Sequence, residues 1–566
     1  MNLNIDAIKK RTYDAIVIGS GMAGGWAAKE LTEKGLKTLV LERGRKVDHI
    51  VDYPTAMQEQ WEKEHRGMQT NALRADSPIQ AKCYAFNESS EQFFVKDKEH
   101  PYIQDKPFDW IRGYHVGGKS IMWARQCYRW SDLDFEANAK DGHGVDWPIR
   151  YKDIAPWYSY VEKFAGISGN KDGLPQVPDG EFLPPMELNA VEKHWKGVIE
   201  KTYAGRNLII GRSANHTAAV GGRGPCQYRN RCHLGCPFSG YFSSNSATLP
   251  AAAATGKMTL RPDSIAHSII FDEKKNRATG VRVIDAHTKE MTEYYAKIIF
   301  VNAATINSTM LLMNSTSPTR FKNGLSNSDA LGHYIMDHNY RGRVSAEFEG
   351  FEDSYFMGRR PNGFYVPRFR NYGADKQKDF VRGYALSGDA GRASWSRGTG
   401  GNDFGATFKE SLSEPGKWNI YTQGQGESLP MYENHIALDH KNLDQWGMPT
   451  IRFNIGWTAN EDAMTKDVMN TIAEMMDVAG FKNIRPSDSH QAPGLGIHEM
   501  GGARMGHDPK TSVVNSNSQL HEVKNVFVTD GSSFASQGTQ IPAVTFMALT
   551  ARAADFAVKE LKKRNL

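Results

Sequence analysis

The apolar positions give the first outline of the chain. Ala15 to Ile18 form a short apolar run, and after a glycine-rich turn the period changes: Met22, Trp26, Ala27 and Leu31 fall near helical spacing until Gly35 stops a helix running from Met22 to Lys34. Thr38 to Leu41 form a second short strand. Farther on, Arg343 to Phe351 alternates Val344, Ala346 and Phe348, and Thr450 to Trp457 alternates Ile451, Phe453, Ile455 and Trp457, the period-two pattern of half-buried strands. Both are expected in the second, substrate-binding part of the molecule. From Glu461 to Ala479 the period is helical again, with Met464, Val468, Ile472, Met475 and Ala479 down one face, Asn460 as the expected cap and Gly480 as the stop. That methionine-containing stripe reads as core. Val523 to Asp555 reads as a strand ending at Asp530, a loop and an alanine-rich helix.

The turn after the first strand carries Gly19, Gly21 and Gly24 as G-x-G-x-x-G, and Glu42 ends the second strand about twenty residues on. Glycines at these places allow a tight turn, let backbone N–H groups approach a pyrophosphate and seat the helix on the sheet, while the acid can accept hydrogen bonds from an adenosine ribose. A dinucleotide cofactor is the expected guest.

At 566 residues the chain exceeds one hydrophobic core, so two or more domains, or one large domain with insertions, are expected. Lys plus Arg exceeds Asp plus Glu by 69 − 64 = 5, which leaves no electrostatic footprint for nucleic acid. No apolar run precedes the first strand and no segment approaches a membrane-spanning length, so neither an export signal nor a transmembrane segment is expected in this chain. Five cysteines form an odd, clustered set unlike a disulfide framework. Cys226, Cys232 and Cys236 are spaced C-x5-C-x3-C, with Arg223, Arg229 and Arg231 interleaved. Thiolates this close repel one another unless they are protonated or ligated to a cation. Three readings compete: a zinc site, for which His233 is a poor fourth ligand because it adjoins Cys232; free buried thiols; or an iron–sulfur cluster held by three cysteines. Cys83 and Cys127 read as ordinary buried thiols.

Four segments, taken in order, resemble the glucose-methanol-choline (GMC) flavoprotein oxidoreductases over nearly the whole chain: Glu42-Arg43-Gly44; Trp110 to Trp130, where Gly117 and Gly118 make a second close-approach turn before Ser120; Lys297 to Ser315; and Val523 to Asp555. The resemblance implies an α/β (α+β overall) architecture. A Rossmann-like FAD-binding domain would comprise 1–50, 105–130, 238–335 and 490–566. A noncontiguous substrate domain on an antiparallel sheet would comprise 51–104, 131–237 and 336–489, with the cysteine loop at 224–237. FAD contacts are then expected at Gly19, Gly21, Gly24, Glu42, Arg43, Gly117, Gly118, Ser120, Met122, Asp530 and Thr545. Met122 takes the place at which members resembling pyranose oxidase attach FAD through a histidine, so the flavin is expected to be noncovalent.

Gly496 to Gly506 resembles the family's catalytic-histidine segment and puts His498 on the histidine. A base is needed there, because hydride leaves a carbinol carbon only as the alcohol proton is drawn off. Where the family has Asn-Pro-x-x-Thr with a second polar residue, this chain has Ile541-Pro542-Ala543-Val544-Thr545, so either Gln540 or Thr539 is expected to reach in, or His498 works without that partner. Gly501-Gly502 also replaces the more usual Gly-Thr. Within the family the resemblance is to bacterial glucoside 3-dehydrogenases and FAD-dependent glucose or gluconate dehydrogenase large subunits. In the bacterial FAD-dependent glucose dehydrogenase catalytic subunit, cysteines at this spacing hold a 3Fe–4S cluster, a task the resemblance carries over to Cys226, Cys232 and Cys236. The activity implied is oxidation of a sugar or glycoside hydroxyl, at C3 of glucosides by preference, with electrons passing to a cytochrome c or quinone. A small partner subunit carrying an export signal would take the enzyme to the periplasm; a cytoplasmic location is the other possibility. A pyranose-oxidase-like enzyme using O₂ and a non-catalytic flavin electron-transfer subunit are the alternatives.

Overall fold

The computed structural model describes residues 11–355, 362–393 and 404–566. The leading segment MNLNIDAIKK, read above as free of an export signal, and parts of 336–489 lie outside them.

A seven-stranded sheet carries the glycine turn. Its strands run in the order Met258–Arg261, Thr38–Leu41, Thr12–Ile18, Met291–Val301, Arg277–Asp285 and Ser264–Asp272, with Val526–Val528 joined to Met291–Val301 off that line. The long strand Met291–Val301 serves three neighbours: it pairs parallel with Thr12–Ile18 along one edge, while on the other Met291 to Tyr295 pairs antiparallel with Arg277–Asp285 and Ile299 to Val301 pairs parallel with Val526–Val528. Ala15 to Ile18 and Thr38 to Leu41 are wholly buried, as central parallel strands covered on both faces must be. The turn helix Met22–Glu33 and the last helix Ala543–Lys562 meet through small residues: Ala27 and Ala28 share a core with Ala553, Ala554 and Ala557.

A six-stranded sheet lies across from it, in the order Lys482–Asp488, Gly342–Phe348, Trp418–Gly426, Tyr384–Arg392, Phe364–Val366 and Ile209–Ile210. Its pairings are antiparallel. Alternation sorts its two faces. Val344, Ala346, Leu386, Trp418 and Ile420 pack with Met464, Val468, Ile472, Met475 and Met476 of the helix Ala459–Val478, while the intervening Arg343, Ser387, Tyr421, Gln423 and Gln425 face a cavity. The helix starts slightly earlier than its apolar stripe suggests. Thr458, not Asn460, is its N-cap, in a reciprocal box with Glu461, and the Asn460 side chain instead accepts the Val381 N–H.

The alternating stretch at Thr450 forms a strand, Pro449–Asn454, but in a separate three-stranded sheet with His435–Leu443 and Ile103–Gln104. Ile436, Ile451 and Phe453 pack there with Phe108, Trp110, Ile265 and Ile306, beside the first sheet. No helix among the described residues is long and apolar enough to cross a membrane.

Candidate active site

Steric fit explains the glycines of the cradle. Gly19 sits at φ 97°, and a Cβ there would lie 2.3 Å from the Asn302 carbonyl; one on Gly24 would lie 1.9 Å from the Gly19 carbonyl oxygen, so the helix can press onto the turn only without a side chain. Gly21 is different: a Cβ would meet only the Gly117 oxygen, at 3.9 Å, so space is left over it. Ser20 ties the two glycine turns together, donating from Oγ to Glu42 Oε2 (2.6 Å) and accepting the Gly117 N–H (2.9 Å). Glu42 also accepts from the Ser20 and Gly44 N–H groups. Burial pushes its carboxyl upward and these donors pull it back.

A cavity of about 720 Å³ starts at this cradle and takes in Glu42, Arg43, Gly118, Ser120, Met122, Asp530 and His498 along its wall. Arg43 is held by Asp444 (3.1 Å), Ser120 by the Gly117 carbonyl and the Ser244 N–H, and Asp530 by Ser308 and Ser532. On the same wall the buried amide nitrogen of Asn302 has no hydrogen-bond partner, a group that asks for a ligand. Gly117 does not reach the cavity wall; at φ 88° it shapes the second turn. Thr545, expected among the cofactor contacts, is not brought to the cavity either. It faces inward from the last helix, where its hydroxyl pairs with Tyr158 (2.8 Å).

His498 is positioned from behind. Asp337 is fully buried, and its carboxylate accepts from the backbone N–H groups of Gly494 (2.7 Å), Gly496 (2.9 Å) and His498 (2.9 Å), fixing the loop that carries the imidazole. Burial, reinforced by Glu499, lifts this carboxyl to about 7 despite those donors. The partner of His498 is the next residue, His338. His338 Nε2 lies 2.7 Å from the Gly538 carbonyl oxygen and its Nδ1 lies 3.1 Å from His498 Nδ1. A carbonyl can only accept, so neutral His338 carries its proton on Nε2 and offers Nδ1 as an acceptor. His498 must then hold its own proton on Nδ1, which leaves Nε2 as the bare, basic nitrogen. Burial lowers His338 to about 4, and burial, with the neighbouring His338 ring and the Lys119 cation disfavouring a second proton, drops His498 well below 6.5, so both rings are neutral.

Gln540 is a correction to the expected catalytic pair. Its amide donates to the Gln176 carbonyl (2.7 Å) and accepts from Thr539, and neither residue lines the cavity, whereas Ile541 does. The polar neighbour comes from Asp337-His338, ahead of the strand Gly342–Phe348. Nothing in the spacing of that segment marks it, because its meaning depends on a loop 160 positions away.

The thiol loop closes another side of the same cavity. Cys226 and Cys232 line it with Tyr228, Asn230 and Arg125, and all three cysteines line a smaller cavity with Asn215 and Tyr241. The cysteines are unbridged, and backbone N–H groups point at sulfur: Tyr228 at Cys226 (3.5 Å) and Gly240 at Cys236 (3.2 Å). Cys83 and Cys127 are buried thiols, and burial raises Cys83 to about 11.

Residues 13–339 match a family pattern described as GMC oxidoreductase, and residues 430–550 match a second of the same description. The chain is a GMC oxidoreductase. It is 28% identical over 563 residues to 2-methyl-1,2-propanediol dehydrogenase of Mycolicibacterium austroafricanum, covering 96% of this chain and 94% of that one. It is 24% identical to the fructose dehydrogenase large subunit of Gluconobacter japonicus, covering 97% and 98%. Among solved structures, Aspergillus oryzae formate oxidase superimposes with a TM-score of 0.63 at 14% identity, covering 98% and 99%.

This GMC oxidoreductase binds FAD and acts on CH–OH groups. The open space over Gly21, the paired turns and the orphan amide of Asn302 fit a dinucleotide flavin. When bound, FAD takes up the hydride released from the carbinol carbon. On the cavity wall the arrangement leaves Nε2 of His498 as a bare nitrogen able to take up a proton, while its Nδ1–H is directed at His338. Because His498 is depressed well below 6.5, kcat/KM should stay flat as pH falls through 6.5 and decline only at lower pH. Lys119, ion-paired to Glu499 at 3.3 Å, is one cause. Lys119→Gln removes a positive charge that disfavours the imidazolium, so the acid limb of a kcat/KM–pH profile should move to higher pH. An unmoved limb would show that the Lys119 charge does not set the value.

Proposed function

We propose that the protein is a dehydrogenase for a sugar or glycoside hydroxyl, with C3 of a glucoside as the favoured carbon. The observation that carries this reading is the polar wall of the six-stranded sheet. Gln425 lies deepest, buried, its amide nitrogen bonded to Ser387 (2.7 Å) and its carbonyl oxygen without a partner. Gln423 is half-buried, and Tyr421 and Asp389 are exposed. From Gln425 to Tyr421 the strand advances roughly 13 Å, room for a sugar ring and an aglycone. Arg343, held by Gln491 (2.8 Å), adds donors beside them. A wall of amides, a guanidinium and a carboxylate suits a molecule with several hydroxyls and offers little to a small apolar alcohol.

The thiol loop supports the second half of the proposal. Cys226, Cys232 and Cys236 would hold an iron–sulfur cluster: three soft donors, N–H groups directed at sulfur and no carboxylate on the small cavity they share. Such a group would pass the flavin's electrons singly to a cytochrome c or quinone. A small partner subunit with an export signal, placing the enzyme in the periplasm, belongs to the same proposal; the words "large subunit" in the name of the fructose dehydrogenase relative support it.

Anaerobic titration of the purified protein with methyl β-glucoside should bleach the flavin, and NMR of the product should place the carbonyl at C3. Iron and acid-labile sulfide should accompany the protein. Bleaching by simple diols but by no glycoside would overturn the substrate reading. Rapid peroxide release in air with no iron would favour an O₂-using oxidase, and no bleaching by any hydroxyl compound a non-catalytic electron carrier.

A further inference from the structure

Arg125 stands between the flavin cavity and the three cysteines, and its charge is unanswered. Its side chain is 8% exposed and has no carboxylate partner among the described residues. The guanidinium donates to the Asn215 amide oxygen (3.0 Å) and to the Trp123 carbonyl, and lies over the Tyr241 ring at 5.3 Å. Burying a cation costs several kcal/mol unless a negative charge balances it. Four other cations on the cavity wall have one, Arg43 with Asp444, Lys82 with Asp109, Arg112 with Asp97 and Lys119 with Glu499, while Arg343, held by Gln491, is only half-buried.

The groups facing Arg125 in place of acids are sulfurs. Asn215 accepts from Arg125 and, through its other amide atom, donates toward Cys226 Sγ (3.7 Å) and Cys232 Sγ (3.9 Å). Tyr241, beneath the guanidinium, donates to the Cys232 carbonyl (3.0 Å). Arg125 also sits at φ 66°, a left-handed conformation unusual away from glycine, pinned by the Ala214 N–H to its carbonyl (2.8 Å). A backbone held in a strained state at the edge of a site marks a side chain whose direction matters.

We propose that Arg125 is the counter-charge of a thiolate-ligated iron–sulfur group at Cys226, Cys232 and Cys236, with Asn215 relaying its position, and that it raises that group's reduction potential. This rests on the cluster reading of the thiol loop. Reduction there adds one electron and no proton; the electron comes from reduced flavin and leaves to a one-electron acceptor. A fixed buried cation favours the more negative, reduced state, so removing it makes the electron harder to accept.

The test is an EPR-monitored redox titration of the holoenzyme, with iron, sulfide and flavin assayed on the same samples. Arg125→Gln should make reduction of the iron centre at least tenfold less favourable, a fall of about 59 mV for a one-electron couple. Arg125→Lys should stay within twofold of wild type, since it keeps the charge. Asn215→Asp, which sets a carboxylate against the guanidinium and removes the donor to sulfur, should lower the potential too, and it carries the test if Arg125→Gln does not accumulate. An iron-containing wild type whose potential is unmoved in Arg125→Gln, or in Asn215→Asp where that variant stands in, overturns the counter-charge while leaving the cluster intact. A wild type that holds flavin but no iron overturns the cluster reading, and this proposal with it. Potentials unchanged but a rise in KM confined to carboxylate-bearing substrates would make Arg125 a substrate anchor and overturn the proposal.

Discussion

Replacing His498 with asparagine is expected to lower the rate of substrate-driven flavin reduction by roughly 10²–10⁴-fold, the usual contribution of a positioned base. That is about 3–5 kcal/mol of barrier. Asparagine has no basic nitrogen, so the hydroxyl proton has no acceptor at the moment hydride leaves. The variant should still fold and hold flavin, because the loop is fixed by the backbone N–H groups of Gly494, Gly496 and residue 498 on Asp337, none of which the change touches. His338→Asn should cost less. It keeps a polar group near 498 but loses the imidazole that dictates which nitrogen of His498 carries the proton, so the loss should concentrate in kcat rather than KM. Single-turnover anaerobic bleaching separates the two variants; a loss below tenfold in His498→Asn would put the base elsewhere.

Gly24→Val should yield protein without flavin. Its Cβ would stand 1.9 Å from the Gly19 carbonyl oxygen, a rigid backbone atom, so the turn and helix must part. The change also acts at the point where Ser20 joins the two turns, since Gly19 and Ser20 are consecutive. Flavin retained on gel filtration, measured as the ratio of visible to ultraviolet absorbance, should fall by more than tenfold. A variant that keeps normal flavin content would show that the helix can shift without opening the cradle.

The first strand, its helix and the second strand were legible in sequence because their physics is local: a short apolar run, glycine positions fixed by backbone approach, and a period change at Met22. The stripe from Met464 to Ala479 was equally legible, though its cap was misplaced by two residues, since Asn460 and Thr458 are both cap-forming types and only the reciprocal bond to Glu461 decides between them. His498 was reached by resemblance. Its neighbour was not, because sequence order offered Gln540 next to the departing Ile541, whereas the fold brings in His338 from another element and turns Gln540 away to Gln176. Thr545 failed for a related reason: its position in the motif was right, but a helical residue presents one direction only, and here that direction is toward Tyr158. The polar sheet wall was half visible. Val344 and Ala346 revealed the alternation, yet which face meets the ligand is set by where the helix Ala459–Val478 packs.

The strand Val526–Val528 completes the first sheet from a point more than two hundred residues beyond Met291–Val301. A nascent chain leaving the ribosome therefore cannot finish its nucleotide fold until Val526–Val528 has been made, and His498 arrives shortly before it. Any cell making this enzyme has to load cofactor onto a polypeptide extended at least to Val528, and a stop before that strand discards the whole investment in one step.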